Sequence, residues 1–72
     1  MRRSIKLLAP VALTKSLPKH RLRAGEVGTV VEGLAAGVFE VEFSDNRGRT
    51  YAPVPVPAED LLPLYNRPGR AA

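Results

Sequence analysis

Short runs of alternating apolar and polar or small residues recur along the chain, separated by glycine and proline. In the first, Ala9, Val11 and Leu13 alternate with Pro10, Ala12 and Thr14. This predicts a half-buried strand over residues 8–14, with Pro10 near a strand start or at an edge, where its missing donor costs least. Residues 15–24 have no helical or strand period and carry Pro18 near their middle. They predict a long loop held by two apolar anchors, Leu17 and Leu22. Residues 25–32 are rich in β-branched side chains and open on Gly25, which predicts a second strand. Val27 and Val30 have opposite parity there, so a bulge at Gly28 is expected to bring both inside. Residues 33–37 predict a hairpin connection. Residues 38–43 alternate cleanly, with Phe39, Val41 and Phe43 on one face and Val38, Glu40 and Glu42 on the other.

Parity also predicts how the third strand meets the fourth. A four-residue loop of Asp45, Asn46, Arg47 and Gly48 sets Ser44 opposite Arg49, Phe43 opposite Thr50, Val41 opposite Ala52, and Phe39 opposite Val54. Glu42 then faces Tyr51, near Arg49. A five-residue loop places Arg49 and Tyr51 on the phenylalanine face, so the shorter loop is the expectation because it buries no charge. Gly48 supplies the positive φ. Pro53, Pro55 and Pro57 fall at period two, which removes backbone donors from one lateral side only. The segment is therefore an edge strand or an extended cross-over. Ala58, Glu59, Asp60 and Leu61 suit a single helical or 3₁₀ turn. Leu62, Pro63 and Leu64 form a short closing strand.

The predicted core is Val11, Leu13, Leu22, Val27, Val30, Phe39, Val41, Phe43, Ala52, Val54 and Leu61, with Ala52 and Val54 leaving it if the turn after Ser44 is longer. A chain of 72 residues holds one domain with a thin core. Residues 1–5 and 66–72 read as flexible tails around a body of residues 6–65. With no cysteine and one histidine, the chain offers neither a disulfide nor a thiolate metal site, and no cofactor is expected. Lys6 and Pro10 interrupt the apolar stretch after Arg2 and Arg3. That stretch is no secretory signal and no run reaches the ~18 residues of a membrane span, so a cytoplasmic protein is expected.

The net charge of +4 comes from the ends. Between Ser4 and Asn66 seven basic residues balance all seven acids, while Arg2, Arg3, Arg67 and Arg70 lie outside that stretch. Basicity of this kind speaks to solubility and weak polyanion attraction more than to a dedicated nucleic-acid surface.

The order of about five short strands, a long early loop and a 3₁₀ turn before the last strand resembles small SH3-like barrels that are partly open. Residues 25–32 are similar to the glycine-centred strand of ribosomal and transcription-factor KOW modules, and to that of the small SH3-like subunits of photosynthetic complexes. A longer pattern spans residues 10–64. It comprises Val11-Ala12-Leu13-Thr14, Leu17-Pro18, His20, Leu22, the strand over 25–32, the run over 38–43, Gly48-Arg49-Thr50 and Leu61-Leu62-Pro63-Leu64. This combination resembles a family of short bacterial proteins catalogued as a domain of unknown function. The proline-rich stretch 53–57 and the basic ends depart from that pattern. The family implies a small β fold, and neighbouring short reading frames of the toxin–antitoxin kind.

No nucleophile, acid/base pair or phosphate-binding glycine loop is recognisable. His20 stands between Lys19 and Arg21 with no oriented partner, and Glu40 and Glu42 read as cross-strand partners. The expected function is therefore a non-catalytic protein-interaction or regulatory module, in the manner of an accessory or antitoxin-like partner. The alternative is a KOW-like module that binds RNA. The candidate contact residues are Lys19, His20, Arg21, Arg23, Arg47, Arg49 and Tyr51. A protein partner is favoured over nucleic acid because only Tyr51 and Tyr65 remain for base stacking once the phenylalanines are buried. No membrane contact is expected, and the protein is expected to be a monomer or weak oligomer.

Overall fold

The computed structural model describes residues 5–44 and 47–64. Five strands form one antiparallel sheet: β1 (Pro10–Leu13), β2 (Val27–Gly33), β3 (Val38–Phe43), β4 (Val54–Pro57) and β5 (Leu61–Pro63). Their order across the sheet is β4-β3-β2-β1-β5. Single 3₁₀ turns at Pro18–His20, Ala35–Gly37 and Ala58–Asp60 link them, and there is no α-helix among the described residues. The result is the small, partly open all-β fold that the alternation predicts.

The last link forces the sheet to curl. β4 and β5 are its two edges, yet only Ala58–Asp60 stand between them. In a flat sheet those edges lie about 19 Å apart, four strand spacings. Four peptide steps from Pro57 to Leu61 reach at most about 14 Å. The edges must therefore approach one another around the core, without pairing.

The core consists of Val11, Leu13, Leu22, Val30, Val41, Phe43, Val54, Val56 and Leu61, with Ile5, Leu17 and Phe39 packed half-buried against it. Three expectations need correction. Val27 is 53% exposed. The inward row of β2 is Gly28 and Val30, which face Phe43 and Val41 of β3, so Val27 points outward and no bulge at Gly28 is needed. The irregularity falls at Val31 instead, between the pairs Val30↔Val41 and Glu32↔Glu40. Gly28, Val30 and Glu32 share one parity, and the extra residue reverses the phase so that Glu32 turns to solvent rather than into the core.

The second correction is the β3–β4 register. Ser44 bridges Thr50, which leaves five residues between them. Farther along, Val41 faces Val54 and Phe39 faces Val56. Two residues of β3 (Glu42 and Phe43) thus oppose three of the returning chain (Tyr51, Ala52 and Pro53). The long turn puts Tyr51 beside Phe43, with the Tyr51 N–H donating to the Phe43 carbonyl at 3.0 Å. The extra residue then restores the phase, so Val54 remains buried, Val56 joins the core, and Ala52 is exposed. Arg49 and Tyr51 do not suffer burial, because this end of the ladder is open to water. The third correction follows from the second. Glu42 pairs with Thr29, and Glu40 lies between Glu32 and Pro55, so neither faces Tyr51.

Pro53, Pro55 and Pro57 sit on the outer edge, and β4 is an edge strand. Its ladder donors come from Val54 and Val56, since the prolines have none. On the opposite edge, Ala12 faces Leu62, so the outward positions of β5 are Leu61 and Pro63. The Leu61 N–H donates back to the Ala58 carbonyl, and Pro63 has no N–H. Along β4 and β5, both edges present carbonyl acceptors and no free donor.

Candidate functional site

β1 ends, β2 begins, β3 ends and the returning chain to β4 begins at the same end of the sheet, as the pairs Ala12↔Val27 and Gly28↔Phe43 require. Two connections project there, residues 14–26 and the turn between Ser44 and Thr50. They carry Lys15, Lys19, Arg21, Arg23, Arg47 and Arg49, six of the seven basic residues of the neutral body. The same connections carry Glu26 and Asp45, and Asp60 lies beside Lys15, so this end is basic by a modest excess.

The first connection is built rather than loose. Leu17 and Leu22 exchange backbone hydrogen bonds at 2.8 and 3.1 Å, as an isolated bridge. Between them Pro18 starts a 3₁₀ turn with its φ already set. The His20 and Arg21 N–H groups donate to the Leu17 and Pro18 carbonyls at 2.9 and 3.0 Å, and Arg21 closes the turn in the left-handed region at φ 57°. Leu22 plugs into the core. Behind it, the Ala24 N–H donates to Ser16 Oγ at 3.0 Å and the Arg23 N–H to Glu26 Oε2 at 2.8 Å. The loop's base is tied by Gly25 N–H to the Leu13 carbonyl at 2.7 Å, while Lys15 lies 3.9 Å from Asp60.

Between this loop and the chain entering β4 lies a cleft of about 440 Å³, lined by His20, Arg21, Leu22, Glu26, Phe43, Tyr51, Ala52 and Val54. Its origin is the irregular stretch of residues 51–53. Where the chain leaves the β3 ladder, no neighbouring strand covers the flank of the core, and Leu22, Phe43 and Val54 form an apolar floor. His20, Arg21, Glu26 and Tyr51 form a polar rim. The volume is within the range of ligand-binding clefts.

Of the residues singled out from the sequence, the structure brings His20, Arg21 and Tyr51 together in the cleft. Lys19 is exposed at the loop tip, Arg23 is exposed beyond Leu22, and Arg47 and Arg49 are exposed on the second connection. These four do not line the cleft, and Tyr65 lies outside the described residues. The floor residues were expected in the core and are buried there; that they also border a cleft is not visible in the alternation. Glu26 escaped notice because its role rests on a local hydrogen bond. Among the described residues no group of histidine or acidic side chains is placed to hold a metal ion, and no helix is long and apolar enough to cross a membrane.

These features define a small open all-β domain with a basic end and a side cleft. Residues 7–63 match the family described as Domain of unknown function (DUF4926), and the chain belongs to that family. No curated protein and no solved structure matches the chain.

Proposed function

We propose that this protein is a non-catalytic interaction module of the SH3-like type, which binds a protein partner in the bacterial cytoplasm through its basic end. The strand order, with the last strand beside the first and a 3₁₀ turn before it, supports the SH3-like reading. The cleft carries the functional one. An apolar floor under a polar rim suits a protein side chain, because burying aliphatic surface drives such contacts while the rim sets orientation. The donor-poor edges support docking by side chains rather than by an added strand.

A second reading rests on the gathering of six basic residues at one end, which suits RNA phosphates. It is less favoured because the floor of Leu22, Phe43 and Val54 gives nothing to a phosphate, and Phe43, 1% exposed, has no free ring face for a base to stack on. Affinity capture from native lysate, with and without nuclease and at low and high salt, separates the readings. One protein retained in stoichiometric amount after nuclease and at high salt is the expected result. Retention of RNA alone, lost on nuclease treatment and at high salt, replaces the protein reading with the second.

A further inference from the structure

The cleft is chemically asymmetric. Its loop wall comes from residues 15–24, which contain Lys15, Lys19, Arg21 and Arg23 and no acid. The one acid in the lining, Glu26, has Oε2 committed to the Arg23 N–H at 2.8 Å. Arg21 is held at the rim by a backbone that is hydrogen-bonded on both sides, through its own N–H and the neighbouring Leu22 N–H. A cation carried on a fixed backbone beside an apolar floor favours a carboxylate next to an apolar side chain.

We infer that the cleft receives an extended acidic segment of a partner protein, with one apolar side chain on the floor of Leu22, Phe43 and Val54 and an adjacent carboxylate on Arg21. This rests on the protein-interaction reading above and names the chemistry of the partner. The segment docks by side chains, since β4 and β5 offer it no backbone donors. A leucine-sized residue fills the floor, and flanking acids meet Arg21 and the field of Lys19 and Arg23. A nucleic acid has no counterpart for the floor. In a second copy of this chain Glu32 and Glu40 lie on a sheet face, and the acids of its Ala58–Asp60 turn are tied to its own body, with Asp60 3.9 Å from Lys15 and its carbonyl accepting from the Thr14 N–H.

The test is a titration of the full ¹⁵N-labelled chain, followed by amide shifts, with two pools of twelve-residue peptides. One pool has leucine flanked by aspartate and glutamate. The other has asparagine and glutamine in their place. The expected result is movement of the Arg21, Leu22, Glu26, Ala52 and Val54 amides with the acidic pool, and binding at least about tenfold weaker with the amide pool. Arg21→Gly removes the guanidinium while relaxing a left-handed backbone, so it folds at least as well as the parent and should bind about tenfold more weakly. Ala52→Leu fills the cleft from its exposed wall and should also weaken binding.

Shifts that lie away from the cleft, equal binding of the two pools, or no shifts at about 1 mM peptide overturn the inference. Self-association that occupies the same amides overturns it too. The lysate capture keeps the two levels apart. A protein captured equally by the parent, Arg21→Gly and Ala52→Leu leaves the interaction reading standing and removes the acidic-segment site. Failure of both the capture and the titration removes both.

Discussion

Gly28 and Gly33 lie five residues apart in β2, and the same substitution should act on them in opposite ways. A Cβ at Gly28 would come 2.7 Å from Val41 Cγ1, 2.8 Å from the Glu42 carbonyl oxygen and 2.8 Å from Phe43 Cδ1. Two of these neighbours are buried side chains in the core, and the third is backbone held in the β2–β3 ladder. None can move away cheaply. Forcing a methyl group into a filled site costs about 1–3 kcal/mol, and replacing a strand glycine returns about 0.5–1 kcal/mol of backbone entropy. The upper half of the first range applies, because a carbonyl oxygen is among the contacts. Gly28→Ala should therefore lose about 2 kcal/mol. For a domain of this size total stability is of order 4–11 kcal/mol, and each kcal/mol moves Tm by about 4–8 °C. A fall of about 8–16 °C in a circular-dichroism melt is expected. At Gly33 the nearest atom to a new Cβ is Phe39 Cε1 at 3.7 Å, an ordinary contact. Gly33→Ala should leave Tm unchanged or raise it by a few degrees. Equal shifts for the two variants, or a Gly28→Ala protein as stable as the parent, would refute the close β2–β3 packing.

Other substitutions test other parts of the fold. Val56→Ala, at a fully buried position, should cost about 2 kcal/mol in denaturant unfolding, while Ala52→Ser at an exposed one should cost nearly nothing; the reverse order would restore the four-residue turn. Ala36 sits in the left-handed region at φ 62° with its side chain exposed, so Ala36→Gly should gain about 1 kcal/mol, seen as a higher Tm. Glu32 and Glu40 face each other directly across β2 and β3, and Glu32→Thr should add about 0.5 kcal/mol, with the gain shrinking as salt is raised. A stabilisation independent of salt would show that charge is not the cause. The double change Pro55→Val and Pro57→Val should leave unfolding nearly unaltered but restore outward donors on β4, giving concentration-dependent association in light scattering; a protein that stays monomeric would show that the prolines do not guard this edge.

Period-two alternation read the strands well where burial is one-sided. In β3, Phe39, Val41 and Phe43 line the inner face, as their spacing requires. The 3₁₀ turn at Ala58–Asp60 was equally legible, while the prolines narrowed their segment only to an edge strand or a cross-over, and the structure makes it the edge. The bulges were not legible. Parity exposes a conflict in β2 but does not say where the extra residue lies. The structure puts it at Val31, where it spares Glu32, rather than at Gly28, where it would have rescued Val27. The β3–β4 turn went the same way. Avoiding burial of Arg49 argues for a short loop only if that face is closed, and here it is open. The site shows the same limit. Counting charges along the chain finds a neutral body, and only antiparallel topology places the two basic connections at one end. The cleft was invisible for a related reason, since it exists where a strand fails to pair.

The adjacency of β5 and β1 bears on how the chain folds. Leu61, fully buried, comes from the last described strand and lies against Leu13 of the first, so one wall of the core closes through contacts nearly fifty residues apart. Contact order this high predicts folding on the millisecond-to-second scale rather than in microseconds. It also makes assembly wait for synthesis. Until residue 63 has been made, β1 lacks one neighbour and the core lacks Leu61, so a growing chain holds a four-strand meander with an exposed apolar flank. Folding is then a single late event that follows translation of the whole domain, instead of a gradual one that accompanies it.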